Sequence, residues 1–249
     1  MKSKINNKEL EIFSRQLILN DFKDINFEKI RKNKIVLVGV GGIGCPIAQY
    51  LISCGIINLT LIDNDVVNLS NLNRQILFNQ KDLGKKKVNI AKKKLNLINS
   101  LNNIKAIDKL LTKKNIAKYF SKSSLIIDTT DNWSSMSMIN QYCTKNNIPL
   151  LSCSVIGYDG QVVLFKNDKK KHLCLKCIYP IQKDPDLPRC DTVGVIGTAA
   201  GLTGLIATQL TINFFTNNHK NIEKLLMINT KSLQLDLIKI KKNNNCILQ

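Results

Sequence analysis

Acidic side chains are scarce in this sequence: 18 Asp and Glu stand against 37 Lys and Arg in 249 residues, a formal charge of +19. Such an imbalance ordinarily points to nucleic acid or an acidic membrane surface. No helix-turn-helix, zinc finger or aromatic-interleaved basic strand accompanies it, and the lysines are spread along the chain beside asparagines and isoleucines. The charge therefore reads as solvated surface that would speed encounter with an acidic protein partner. Neither nucleic acid nor a membrane is expected as a partner. Histidine is scarcer still, with two in the chain, and no Ser–His or Cys–His pair is evident, which argues against an activated nucleophile. Met1 to Glu11 lacks the apolar run of a secretory signal, so the expected location is cytoplasmic. No internal repeat is present. Charge is absent from Thr192 to Asn218, a run long enough to raise a transmembrane helix. Thr198, Thr203, Thr208, Gln209 and Asn213 interrupt it, together with Gly194, Gly197, Gly201 and Gly204. It reads as a buried core helix entered through a glycine-rich turn.

With 44% apolar residues the chain can bury a sizeable core. Residues 1–30 are mixed and amphipathic, with Phe13, Leu17 and Ile18 spaced for a short helix. Residues 31–240 form the expected principal domain, with 171–191 as a cysteine-bearing crossover holding three prolines, and residues 241–249 form a tail. Lys34 to Val40 is a β-branched apolar run of the kind buried on both faces. It enters Gly39-Val40-Gly41-Gly42-Ile43-Gly44, then a helix from Cys45 to Cys54 and a strand from Leu59 to Asp63. Strand, glycine turn, helix and strand within about thirty residues make a nucleotide-binding βαβ unit. Helices follow at Lys86–Asn99 and Ser134–Asn146, and strands at Ser124–Asp128 and Pro149–Ser154. Gly160–Lys166, Leu225–Asn229 and Leu233–Ile240 read as antiparallel strands. The expected fold is a doubly wound, Rossmann-like α/β sheet, parallel in its first half and antiparallel toward its end.

Gly39, Gly41 and Gly44 allow a tight turn that presents backbone N–H groups at a helix N-terminus, where phosphate is stabilised. Asp63 sits where a ribose-binding carboxylate belongs. Alone, this suits an NAD(P)-dependent oxidoreductase as readily as an ATP enzyme. The polar run that follows, through Asn68, Asn71 and Asn73 to Arg74 and Gln75, suits an anionic triphosphate, since guanidinium forks onto phosphate oxygens. Lys87 adds a second cation. Asp128-Thr129-Thr130-Asp131-Asn132 closes a strand where a carboxylate can hold Mg²⁺ on the phosphates. Trp133 is expected to pack beside this site.

SRQLIL around Arg15, GVGGIG, LTLIDNDVVNLSNLNRQ, GKKKV, DTTDN, Cys174-x-x-Cys177 and RCDTVGVIG occur in the order and spacing of the ThiF/MoeB/HesA family. The sequence resembles these bacterial relatives of ubiquitin-activating enzymes from about Phe13 to Ile240. The resemblance implies an adenylyltransferase in which Gly42, Asp63, Asn71, Arg74 and Lys87 contact ATP and Asp131 binds magnesium. It implies a homodimer in which Arg15 reaches into the partner's site. The substrate it implies is the C-terminal carboxylate of a ubiquitin-like sulfur-carrier protein ending in Gly-Gly, with a sulfur donor protein acting afterwards. SRQLILND, NLNRQILF and CLKCIYP resemble the thiamine thiazole branch, with a ThiS-like carrier. The alternatives are the molybdopterin branch and, further off, a dehydratase acting on a modified tRNA adenosine.

Among the eight cysteines, Cys174 and Cys177 have the spacing of half a zinc site. The family supplies the other half from a second pair near the C-terminus. Here that place reads Cys246-Ile247-Leu248-Gln249, so the last thiolate is missing. Zinc with three cysteine ligands and free thiols at a decayed site both stay open. His172 is a spare ligand or an exposed loop residue. Cys190 matches the cysteine that in relatives can bond covalently to the carrier; the alternative is a structural role. Cys45, Cys54, Cys143 and Cys153 are expected in the core.

Overall fold

The computed structural model describes residues 6–22, 25–168, 173–180, 190–243 and 246. Its backbone is one sheet of eight strands: β1 (Lys34–Val38), β2 (Asn58–Ile62), β3 (Asn103–Ile107), β4 (Leu125–Asp128), β5 (Leu150–Ile156), β6 (Asp159–Phe165), β7 (Lys224–Asn229) and β8 (Gln234–Lys239). Their order is β3-β2-β1-β4-β5-β6-β7-β8. The first five in this order pair parallel, and β5 through β8 pair antiparallel. Both halves of the expected architecture are present.

The strand sequence explains why β1 lies at the centre. Ile35 and Leu37 join a core on one face, while Val36 and Val38 join the core on the other. Alternate side chains of a strand point to opposite faces, so a run of apolar residues must be covered on both. On the first face the cover comes from the helices Gly44–Ser53, Lys87–Ile98 and Gly197–Phe215, through Ile47, Leu51, Val88, Leu95, Ala207 and Leu210. On the second it comes from the helices Ile116–Phe120 and Trp133–Lys145, through Phe120, Trp133, Ile139 and Cys143. Each fully buried Ile or Leu of this kind contributes about 1.5–3 kcal/mol relative to exposure.

The uncharged run after Thr192 forms the helix Gly197–Phe215, with Thr203, Thr208 and Thr211 buried. Their hydroxyls donate to the carbonyls of Ala199, Gly204 and Ala207, at 2.7, 2.9 and 2.9 Å. These bonds let polar side chains lie inside the core without an unsatisfied donor. Among the described residues no helix is long and apolar enough to cross a membrane.

Several expectations need adjustment. The strand β3 and the helix Ile116–Phe120 stand in a stretch that had been assigned no structure. Among the described residues, the stretch around Phe13 to Ile18 forms two short helices, Asn7–Ile12 and Ser14–Leu17, where one is expected, and the opening segment also holds a 3-10 turn, Asn20–Phe22, and the start of the helix Ile25–Lys32. Phe13 is buried as its spacing suggested, but Ile18 is 68% exposed. The amphipathic reading fails there because the helix ends at Leu17 and leaves Ile18 beyond its packed face. Cys45, Cys143 and Cys153 are buried, whereas Cys54 is only partly so, since it caps the end of the helix Gly44–Ser53.

Candidate active site

A cavity of about 550 Å³ opens at the carboxyl ends of the parallel strands. It lies where β1 and β4 are neighbours while their outgoing connections diverge, to β2 on one side and β5 on the other. Open α/β sheets bind ligands at such switch points. The loop after β1 forms its floor, with Gly39, Gly41 and Gly42 in the lining. Two of the glycines are there for steric reasons. Gly39 has φ +90°, and a side chain on it would meet the Thr129 hydroxyl at 2.7 Å. A side chain on Gly44 would come within 2.2 Å of the Gly39 carbonyl. Gly44 does not line the cavity; it lets the helix start tightly against the loop. That helix has no side-chain cap at its N-terminus. The Cys45 N–H donates to the Gly41 carbonyl and Pro46 has no N–H, so the backbone N–H groups placed for an anion are those of Gly41, Gly42 and Ile43 in the cavity lining.

Asp63 directly follows β2 and binds this loop. Its carboxylate accepts from the N–H of Val40 at 2.7 Å and from that of Asp65 at 2.8 Å. The charge is thus held against the turn while the side chain stays in the cavity wall.

Two cations enter from the segment after β2. Arg74 lines the cavity, and its Nη1 donates to the Ser70 carbonyl at 2.8 Å and to Asn73 Oδ1 at 3.0 Å. Among the described residues no carboxylate pairs with it. Lys87, 5% exposed, holds Asp65 at 3.0 Å. Beside them Gln75 is buried with its Oε1 lacking a partner among the described residues. A half-buried guanidinium with no carboxylate partner among the described residues and a nearly buried ammonium whose partner is 61% exposed together suit a polyanion.

The turn after β4 brings the opposite charge. Asp131 is exposed and lines the cavity. Three residues earlier Asp128 is fully buried at the strand end. The Thr130 N–H and hydroxyl both donate to its Oδ1, at 3.0 and 2.7 Å, and among the described residues its Oδ2 has no partner. Burial, opposed by the Thr130 bonds and helped by the nearby Asp131 charge, pushes the Asp128 carboxyl up to about 6. Asn132 then caps the next helix, its Oδ1 accepting from the Ser135 N–H at 2.9 Å. The far wall is Trp133 against Tyr179, edge to face at 6.2 Å, with the Tyr179 hydroxyl donating to Gln161.

Of the residues singled out in the sequence, Gly39, Gly41, Gly42, Asp63, Arg74, Lys87 and Asp131 meet at this cavity. Asn71 does not line it: its Oδ1 accepts from the Asn68 N–H at 3.1 Å and shapes the turn that delivers Arg74. Arg15, exposed on the helix Ser14–Leu17, does not line the cavity of its own chain. Cys190 begins a short helix, but its side chain lies outside the described residues, as do His172 and Gln249. The cavity also takes residues that went unnoticed. Lys109 follows the missed strand β3, and Gln161 and Tyr179 come from the antiparallel half and the cysteine segment.

Away from the cavity mouth, the sulfur atoms of Cys174, Cys177 and Cys246 all lie within 4.8 Å of one another. Cys174 and Cys246 are 3.5 Å apart across 72 residues of sequence. Burial, then the contact with Cys246, pushes the Cys174 thiol up to about 12. Thiolates about 2.3 Å from a tetrahedral zinc stand about 3.8 Å apart, so the three sulfurs fit such an ion.

Sheet order, glycine loop and charged lining define an α/β nucleotide-binding protein with a switch-point cavity. The chain belongs to the ThiF family, whose model matches residues 13–248. It is 28% identical over 242 residues to the sulfur carrier protein ThiS adenylyltransferase of Escherichia coli (strain K12), covering 97% of this chain and 96% of that one. It is 30% identical over 245 residues to the molybdopterin-synthase adenylyltransferase of the same organism, covering 98% of each. It spans about half, 54%, of the length of the fused adenylyltransferase and sulfurtransferase MOCS3-1 of Drosophila pseudoobscura pseudoobscura. Among solved structures it is similar in fold to E. coli MccB with MccA-N7isoASN, with a TM-score of 0.83 and 20% identity, over 99% of this chain and 76% of that one.

Proposed function

We propose that this chain uses ATP and Mg²⁺ to adenylylate the C-terminal carboxylate of a ubiquitin-like sulfur-carrier protein, the thiamine carrier first and the molybdopterin carrier as the alternative. The observation that carries the reading is the meeting of the glycine loop, Arg74, Lys87 and Asp131 at one cavity. Those groups come from separate segments and match the needs of a metal triphosphate. Names of the relatives supply the adenylyl acceptor.

The carrier's terminal carboxylate attacks the α-phosphorus of ATP, a P–O bond forms to it, and the bond to the β-phosphate oxygen breaks as pyrophosphate leaves. No residue needs to bond covalently to substrate in this step, so positioning and charge neutralisation supply the rate. Backbone N–H groups of Gly41, Gly42 and Ile43, just ahead of the helix Gly44–Ser53, hold phosphate oxygens. Asp63 orients the ribose, Lys87 exchanges Asp65 for phosphate, and Arg74 stabilises charge on the departing pyrophosphate. Asp131 would hold magnesium, which neutralises the phosphates. Arg15 serves the neighbouring subunit's site within a homodimer, and Ile18 and Leu19, 68% and 56% exposed beside it, supply apolar surface for that contact. Cys174, Cys177 and Cys246 would hold zinc in a structural role.

ATP–pyrophosphate exchange with purified carriers tests the reading. Exchange dependent on a Gly-Gly carrier is expected, faster with the thiamine carrier than with the molybdopterin one. The reverse order assigns the other branch, and binding of NAD in place of ATP–Mg²⁺ sinks the proposal.

A further inference from the structure

The cysteine cluster and the cavity are joined by a very short piece of chain. Cys174 is the N-cap of the short helix Leu175–Ile178 and Cys177 lies within it, with the Cys177 N–H donating to the Cys174 carbonyl at 2.8 Å. Two residues beyond Cys177 stands Tyr179, its N–H bonded to the Leu175 carbonyl at 2.9 Å. Its ring meets Trp133 edge to face, its hydroxyl donates to Gln161, and all three line the cavity. The other side of the helix is held by the Leu175 N–H donating to Asn140 Oδ1 at 3.0 Å and by the Leu175 side chain, buried in the core of the second face. Cys246 adds the third sulfur from beyond β8, a strand whose six residues are all exposed. The segment carrying Tyr179 is a single turn, too short to hold its own shape, so the contacts at its ends decide where the ring stands.

We infer that a thiophilic divalent ion held by Cys174, Cys177 and Cys246 sets Tyr179 against Trp133, so that loading of the thiol cluster shapes the far wall of the cavity. This rests on the metal reading of the cluster and is independent of what the cavity binds. Without the ion, the sulfurs keep only the weak Cys174–Cys246 contact, and the turn, anchored mainly through buried Leu175, can carry Tyr179 off the indole. With it, Tyr179 acts as a positioning residue for whatever enters past Trp133.

The chain has one tryptophan, so its fluorescence reports this wall alone. Purified full-length protein is stripped with a chelator under reducing conditions and titrated with Zn²⁺, or with Co²⁺ for its thiolate charge-transfer absorption. Metal content, Trp133 emission and acrylamide quenching are followed together. One metal per chain is expected. Stripping should shift the emission to longer wavelength and raise the quenching constant, and zinc should reverse both. Cys54→Ser should behave as wild type, and Cys246→Ser should stay at the stripped values. Tyr179→Leu should bind cobalt with the same thiolate band while Trp133 no longer responds. Failure to bind stoichiometric metal overturns the cluster reading. Metal uptake with unchanged Trp133 emission overturns the coupling and leaves the cluster intact. Loss of the far-ultraviolet circular dichroism on stripping also overturns it, because a global collapse leaves nothing specific to Tyr179. None of these results depends on adenylylation, whose failure would show in pyrophosphate exchange alone.

Discussion

Arg74 reaches the cavity with one backbone and one side-chain amide acceptor and no carboxylate to neutralise it among the described residues. A charge so placed is stabilised when an anion arrives, and losing such a charge-assisted contact costs about 1.5–3 kcal/mol. Arg74→Ala is therefore expected to weaken ATP binding by about 10- to 100-fold and to lower exchange further, with thermal stability little changed. Titration calorimetry beside a melting curve checks both. Wild-type exchange in the variant would remove Arg74 from the site. Asp131→Asn keeps the volume and removes the charge, so it should raise the Mg²⁺ concentration needed for half-maximal exchange; an unchanged magnesium curve would place the metal elsewhere. Asp128 works in the opposite sense to most paired carboxylates. Its folded pKa, about 6, stands above the ordinary 3.8, so the folded state holds the proton more tightly than the unfolded state does. The resulting stability is intact below the unfolded value and is lost as pH rises from about 4 through 6. Asp128→Asn keeps an acceptor for the Thr130 bonds and cannot ionise. Its melting temperature relative to wild type should rise between pH 4.5 and pH 7.5, by an amount on the order of 1–3 kcal/mol of stability. A pH-independent difference would show that Asp128 is equally ionised in the folded and unfolded states over this range.

At the scale of elements, legibility in the sequence followed how completely the surroundings dictate a residue. β1 and β4 could be read because strands buried on both faces permit little but Ile, Leu and Val. The glycine loop could be read because φ at Gly39 and the 2.2 Å approach at Gly44 admit no side chain. β3 escaped because it is an edge strand in which only Ile104 is buried, and Asn103 and Lys105 carry no strand signature. Lys109 was lost with it: only the pairing of β3 with β2 brings its loop to the cavity. The meeting of Cys246 with Cys174 could be expected only from family resemblance, since no local pattern spans such a separation. The glycine loop yields a prediction at this scale. Gly44→Ala must push the helix Gly44–Ser53 away from the Gly39 carbonyl, against packed side chains on both sides. Overpacking of this kind costs about 1–3 kcal/mol. The variant should melt earlier and bind ATP more weakly, because the helix N-terminus moves off the phosphate. Equal stability to wild type would mean the loop can relax at no cost.

The whole molecule poses the question of Arg15. Its helix lies outside the cavity of its own chain, so if the residue serves catalysis it must do so for another subunit. Each site of a closed homodimer would then draw Arg74 from one chain and Arg15 from the next. Arg15→Ala and Arg74→Ala homodimers should both be inactive, for different reasons. A mixed dimer puts both lesions into one site and leaves the other site with both arginines. Random subunit exchange makes about half of the dimers mixed, each with one working site in two, so the recovered exchange activity should approach about a quarter of wild type. Nothing is recovered if Arg15 acts within its own chain, because every site in every dimer then carries a lesion. Mass spectrometry of the mixture establishes that exchange occurred. Recovery near a quarter places Arg15 across the interface, and its absence in a proven mixture confines Arg15 to its own subunit or removes it from catalysis.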